Sequence, residues 1–201
     1  MSGYAEHDEI TLGYYDNHAE EYAEETLKTE LGDLICQLLG YLPGADECGT
    51  ILDLGCGPGR DAKVMLAAGY DVEPADGSAE MCRIAERVTG RVARQMLFSE
   101  LCDQDRYSGI WSCGALLHVP RAELDDVVGR CFDALVGGGV MYASFKIGER
   151  DGYSSGRYFT DLSLEEAVEL FEGAGFEVLE AAVAEDNLGR DHRWVNLFVR
   201  K

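Results

Sequence analysis

The run Thr50-Ile51-Leu52-Asp53-Leu54-Gly55-Cys56-Gly57-Pro58-Gly59-Arg60-Asp61 holds the residues best spaced for chemistry in this chain. Apolar residues lead into an acid, three glycines alternate, and a helix-like segment follows. That order reads as strand, tight turn and helix. Glycine at such a turn lets backbone approach a ligand with no Cβ in the way. A dinucleotide fingerprint would place its third glycine at position 60, where this chain has Arg60. Asp53, two residues before the first glycine, would repel an approaching pyrophosphate. The turn suits a ligand that carries positive charge and no phosphate.

Such a turn needs a sheet behind it. Strands and helices alternate from position 50 onward, the pattern of βαβ units and a parallel sheet. Strands are expected near 50–54, 70–75, 92–97, 107–113, 138–146, 176–184 and 193–200, with helices near 59–68, 78–89, 121–135 and 163–173. In the third helix Leu124, Val127, Val128, Cys131, Phe132 and Leu135 recur at helical spacing, and Gly137-Gly138-Gly139 reads as its stop. The fourth opens with Ser163 three residues before Glu166, a capping box, and stops at Gly173 and Gly175. Residues 1–48 read as two helices, an acidic one from Asp16 to Lys28 and an apolar one from Leu31 to Leu42. Residues 148–160, rich in glycine and polar groups, read as a long loop, a length that favours function. The expectation is one domain over 1–201, with a helical cap at 1–48 and a core at 49–201.

Composition narrows the function. At 201 residues the chain can bury a substantial core. A formal charge of −21 opposes nucleic acid and anionic membrane as partners, since both require clustered Lys and Arg. No apolar run approaches the roughly 18 residues of a membrane span, and Met1 to Glu9 is polar and acidic, unlike a secretory leader. The seven cysteines form no C-x-x-C pair and no zinc-like spacing, so no metal is expected. Their odd number fits a reducing, cytoplasmic setting.

Asp53-Leu54-Gly55-Cys56-Gly57-Pro58-Gly59 resembles motif I of the class I S-adenosylmethionine-dependent methyltransferases. Gly69 to Met81, with Asp76 closing a strand, resembles the family's second strand and the helix after it. Gly109 to Pro120 resembles its fourth strand and the following loop, and Leu135 to Tyr142 the turn into its fifth. Residues 14–30 and the tail are similar to small bacterial members, the group that includes tellurite-resistance-type enzymes. The resemblance implies a Rossmann-like α/β fold. Its seven-stranded, mostly parallel sheet would carry helices on both faces and an antiparallel last strand. It also implies S-adenosylmethionine as cofactor and S-adenosylhomocysteine as product. Asp76 would accept the ribose hydroxyls, Gly55, Gly57 and Gly59 would admit the methionyl end, and Asp53 would act through that loop's hydrogen bonds. Met81 and Phe98 would flank adenine. Cys56, Gly77, Ser78, Cys113 and Tyr22 complete the expected cofactor set. Two departures stand out: Leu97 and Ser99 flank Phe98 where the family often has an acid, and Ser108 replaces another acid common in relatives.

Transfer from a sulfonium is mainly a matter of proximity and alignment. A base is needed only when the acceptor is protonated and weakly acidic. His118, directly after the fourth strand, is the candidate base, with Tyr15 and Arg157 completing the candidate catalytic set. Tyr14, Tyr15 and Tyr22 could form an aromatic lid beside a cation. Lys146, Arg157, Tyr158, Arg190, Arg193 and Trp194 are acceptor-side candidates, Arg157 pointing to a small acid or oxyanion. The alternative makes Arg157 a surface partner of Asp151 or Asp161. The leading reading is methyl transfer to a small molecule by a monomer or homodimer. A donor-binding regulatory protein without turnover is the second. A nicotinamide-dependent oxidoreductase is disfavoured by Asp53 and Arg60.

Overall fold

The computed structural model describes residues 6–29, 31–186 and 190–201; part of the Met1–Glu9 segment therefore lies outside the described residues. At the centre of the sheet is β1 (Ile51–Leu54), buried along its whole length, as a strand between parallel neighbours must be. β2 (Val72–Asp76) and β4 (Tyr107–Ser112) pair with it in parallel. Outside β2 lies a short β3 (Arg94–Gln95), and outside β4 runs β5 (Leu135–Lys146). The direction then reverses. β9 (Arg193–Arg200) lies antiparallel between β5 and the edge strand β8 (Glu177–Glu185). The order is β3-β2-β1-β4-β5-β9-β8, the seven-stranded, mostly parallel sheet that was expected. Strand order reverses between β1 and β4, which opens a crevice at their carboxyl ends, where open α/β sheets bind ligands.

Alternation along each strand splits the core in two. Leu52, Leu54, Ile110 and Phe145 face α6 (Leu124–Ala134) and α7 (Leu164–Gly173). Ile51, Trp111, Tyr142 and Phe198 face α3 (Gly32–Tyr41) and α4 (Arg60–Ala67). α5 (Ala79–Thr89) packs on α2 (Ala19–Thr26) through Met81, Ile84, Ala19 and Ala23. The capping box at α7 forms as its spacing implied: Ser163 Oγ accepts from Glu166 N at 3.1 Å, and Glu166 accepts from Ser163 N at 2.8 Å.

Three expectations change. The N-terminal cap has three helices, because α1 (Glu6–Asn17) precedes the two read from sequence, and α2 begins after His18 instead of at Asp16. α1 has no apolar stripe to announce it. Point contacts hold it: Thr11 Oγ1 accepts from Tyr158 N at 3.0 Å, and Asp16 accepts from Ser78 Oγ at 2.6 Å. Residues 148–160 are mainly a hairpin of β6 (Asp151–Ser154) and β7 (Arg157–Thr160). Ser155 and Gly156, at φ 50° and 76°, supply a two-residue turn that twists with its strands. The third core helix stops at Ala134, before the glycine triplet. Leu135 already pairs with Tyr107, and Gly137 to Gly139 absorb a register shift within β5.

Candidate active site

Gly55 and Gly57 follow β1 at φ 77° and 52°, the left-handed region that favours glycine. A Cβ on Gly55 would sit 2.3 Å from that of Ala115, so the turn closes against the loop after β4. Asp76 ends β2 beside it. One carboxylate oxygen accepts from Gly57 N at 2.8 Å and the other from Ser78 N at 2.9 Å. Burial pushes this carboxyl up to about 6 despite those two donors.

Gly55, Gly57, Asp76, Gly77, Met81, Phe98, Cys113 and Tyr22, eight of the cofactor residues read from sequence, line one cavity of about 80 Å³. The other four build its frame. Asp53 is buried and accepts from Ala62 N at 3.1 Å, tying the strand end to α4. Burial, and then the neighbouring Asp61, raise its carboxyl well above the usual range. Cys56 packs among Cys82, Ala85 and Ala93. Gly59 starts α4 at φ 80°, where a Cβ would meet Thr89 at 2.8 Å and Ala85 close by, so it brings α4 and α5 together. Ser78 caps α5 by accepting from Met81 N and donates to Asp16.

A second cavity of about 240 Å³ adjoins the first. Tyr15, Tyr22, Gly57, Cys113, Gly114 and His118 line both, so the two cavities share a wall. His118 stands on the short 3-10 turn Leu116–His118 after β4. Its Nδ1 lies 2.6 Å from Tyr158 O, an acceptor only, so Nδ1 carries the proton. Nε2 is then the lone-pair nitrogen and accepts from the Tyr15 hydroxyl at 2.8 Å. Burial lowers His118 to about 4, and Arg157 and Lys146 push the same way, so the imidazole is neutral near pH 7. Burial likewise raises the Tyr15 phenol, which stays protonated. Arg157 Nη1 donates to the same hydroxyl at 3.4 Å, and its guanidinium lies 4.4 Å from the Tyr14 ring centroid. The three candidate catalytic residues therefore meet at one phenol.

The acceptor-side candidates separate. Lys146, Arg157, Arg190 and Trp194 line the larger cavity. Arg193 is exposed and lies outside it. Tyr158 turns its hydroxyl to Asp151 at 2.8 Å and presents only its carbonyl to His118. Arg157 pairs with neither Asp151 nor Asp161: Asp151 accepts from Tyr158 and Thr160, while Asp161 pairs with Arg150. Cys113 holds a thiol pushed up to about 12, first by burial and then by Asp61, so it is no nucleophile.

Sequence reading missed the roles of Arg60 and Asp61. Arg60 donates to both Asp61 oxygens, at 2.6 and 2.8 Å, and Trp111 Nε1 donates to the same carboxylate at 2.8 Å. This pins a guanidinium on the wall of the larger cavity next to the Gly57-Pro58 turn. The signal was Arg-Asp at the start of α4, which is indistinguishable in sequence from an ordinary first helical turn. Asp186 was missed too. Buried, it accepts from Arg190 at 2.7 and 3.0 Å and from Trp194 Nε1 at 2.9 Å.

Among the described residues no cluster of His, Cys, Asp and Glu fits a metal ion, and no helix is long and apolar enough to cross a membrane. Residues 51–139 match the family model described as Methyltransferase domain. No curated protein matches the chain. Several solved structures share its fold. One is 1,6-didemethyltoxoflavin-N1-methyltransferase of Burkholderia thailandensis, crystallised with 1,6-didemethyltoxoflavin and S-adenosylhomocysteine. It is 18% identical, with 100% of this chain and 92% of that one covered and a TM-score of 0.79. Magnesium protoporphyrin IX methyltransferase of Synechocystis PCC 6803, with bound S-adenosylmethionine, is 14% identical over 100% of both chains, with a TM-score of 0.76. A TehB-like methyltransferase of Corynebacterium glutamicum is 17% identical over 94% of this chain and 98% of that one, with a TM-score of 0.70. At these identities the likeness to solved structures establishes the fold alone, and within that fold residues 51–139 match the methyltransferase-domain model.

Proposed function

We propose that this chain is a class I S-adenosylmethionine-dependent methyltransferase that methylates a small molecule held in the larger cavity, with the donor's adenosine in the smaller one. The observation that carries the reading is that six residues line both cavities, so that a throat at this shared wall would bring the donor methyl to the acceptor. The residues fit the donor. Asp76 offers a carboxylate to the ribose hydroxyls, Met81 and Phe98 offer apolar surface to adenine, and Arg60 offers a guanidinium to the methionyl carboxylate. Bound S-adenosylmethionine supplies a methyl group on a sulfonium whose leaving sulfur needs no proton.

The chain's own residues orient and manage protons. Tyr22 and Tyr15, 5.2 Å apart between ring centroids, present aromatic surface to a cation. Tyr15 takes a proton from the acceptor as it gives its own to His118 Nε2. A base near 4 accepts that proton only once the new bond to carbon has acidified the acceptor, so transfer falls late in the reaction. Arg157 steadies the phenol in between. The whole chain acts as one domain in which α1 and α2 cover the throat.

A cavity of about 240 Å³ suits a small molecule, and the charge of −21 opposes nucleic acid. The Burkholderia enzyme, which by name methylates a small heterocycle, supports the same reading. Seven free cysteines support a reducing, cytoplasmic setting. A thermal-shift comparison tests donor binding: S-adenosylhomocysteine at 100 times its Kd should add about 2.7 kcal/mol, while NAD should add nothing. Stabilisation by NAD alone would overturn the reading.

A further inference from the structure

The larger cavity is lined by Arg60, Lys146, Arg157 and Arg190 beside Glu25, Glu185 and Asp186, and its cations are unevenly paired. Arg60 and Arg190 pair with Asp61 and Asp186, and Arg150, which is off the lining, pairs with Asp161. Lys146 and Arg157 make no ion pair among the described residues, although the chain carries 38 acids against 17 Lys and Arg. Both lean on the same ring. The Lys146 ammonium is 4.6 Å from the Phe159 centroid, and the Arg157 guanidinium is 5.1 Å from it. Arg157 Nε is buried with no hydrogen-bond partner. Burial, then the positive neighbours Arg150, Arg157 and Arg190, disfavour the charge on Lys146 against a weaker opposing effect of Asp161, and an entering anion relieves this.

Shape and rim narrow the anion. Trp194, 5.7 Å from the Lys146 ammonium, gives the cavity a flat apolar wall, while the Phe159 ring carries Lys146, Arg150 and Arg157 over it. Glu185 on the same lining repels multiply charged species. Building on the donor and acceptor chambers proposed above, we infer that the methyl acceptor is a small aromatic carboxylic acid. Its carboxylate lies between Lys146 and Arg157 and its ring against Trp194.

The test uses the full chain saturated with S-adenosylhomocysteine. Benzoate and salicylate are titrated beside benzamide and salicylamide, with binding followed by saturation-transfer NMR and calorimetry. The acids should bind at least tenfold tighter than the matched amides. That preference should shrink with added salt and disappear in Lys146→Met, while affinity for S-adenosylhomocysteine stays within threefold. Amides binding as well as acids, binding by neither, or a preference kept in Lys146→Met would overturn the inference. So would displacement of S-adenosylhomocysteine by the acids, which would assign these cations to the donor's own carboxylate. If Lys146→Met does not fold, the acid-to-amide ratio and its salt dependence in the unaltered protein decide. If S-adenosylhomocysteine itself does not bind, the donor reading fails, and the same ratio measured on the protein alone still judges the acid site.

Discussion

The proposed ribose contact of Asp76 ties donor binding to the state of one proton. Replacing it with alanine removes the acceptor for Gly57 N and Ser78 N, bonds of 2.8 and 2.9 Å. Leaving such donors without a partner costs about 1–3 kcal/mol each, partly recovered where water reaches them. A net loss of about 2 kcal/mol lowers the Tm of a chain this long by roughly 4–8 °C. The variant also loses the hydrogen bonds from the ribose to a charged group, worth about 1.5–3 kcal/mol, or tenfold or more in Kd for S-adenosylhomocysteine. The proton supplies an internal control. With the free carboxyl near 6, it is ionised at pH 7.5 and mostly protonated at pH 5. Ribose hydroxyls favour the ionised form, so affinity in the unaltered protein should fall by up to about tenfold from pH 7.5 to 5. In Asp76→Ala the pH dependence should flatten. Calorimetry at both pH values, on protein shown to be folded by circular dichroism, reads both effects. A folded Asp76→Ala with unchanged affinity, or one that keeps the full pH dependence, refutes the assignment.

The imidazole gives a second titration of opposite sign. His118 is near 4 folded against an ordinary 6.5, so the unfolded chain binds more protons in that window and stability falls as pH drops through it. A Tm series from pH 7 to 4 should decline more steeply in the unaltered protein than in His118→Gln, and parallel curves would contradict the burial argument. Gly55→Ala forces a left-handed residue against Ala115, and should cost at least about 2 kcal/mol and tenfold in S-adenosylhomocysteine affinity. Part of that loss should return in the Gly55→Ala, Ala115→Gly double variant, as measured by urea unfolding and calorimetry. Asp61→Asn leaves the Arg60 guanidinium without its paired charge, and should lower unfolding free energy by about 3 kcal/mol, read as a lower urea midpoint at unchanged slope.

The sheet was legible because its strands are short apolar runs between strong punctuation, and β9 appears over the span its apolar pattern marks. The smaller cavity was legible for a related reason. Glycines at a turn and an acid at a strand end are local features, and Gly55, Gly57, Asp76 and Gly77 converge because strand order places β1 and β2 side by side. Ser78 and Asp53 show where local reading stops. Each sits beside the site in sequence, yet one is needed to start α5 and the other to anchor α4. α1 escaped because its helix is fixed by single polar contacts to β7 and α5 instead of by an apolar stripe. The hairpin was hidden by its glycines, although Ser155-Gly156 between two aromatic-bearing segments carried the turn signal. The union of Tyr15, His118 and Arg157 spans more than a hundred positions and depends on tertiary packing alone.

Donor and acceptor are proposed to meet at the throat, and a crystal structure with S-adenosylhomocysteine shows whether they do. The account predicts both ribose hydroxyls on Asp76, adenine between Met81 and Phe98, and the sulfur at Gly57 and Gly114, open toward Tyr15 and the larger cavity. A sulfur that faces a closed wall, with Tyr15, His118 and Arg157 all turned away from it, would contradict the account.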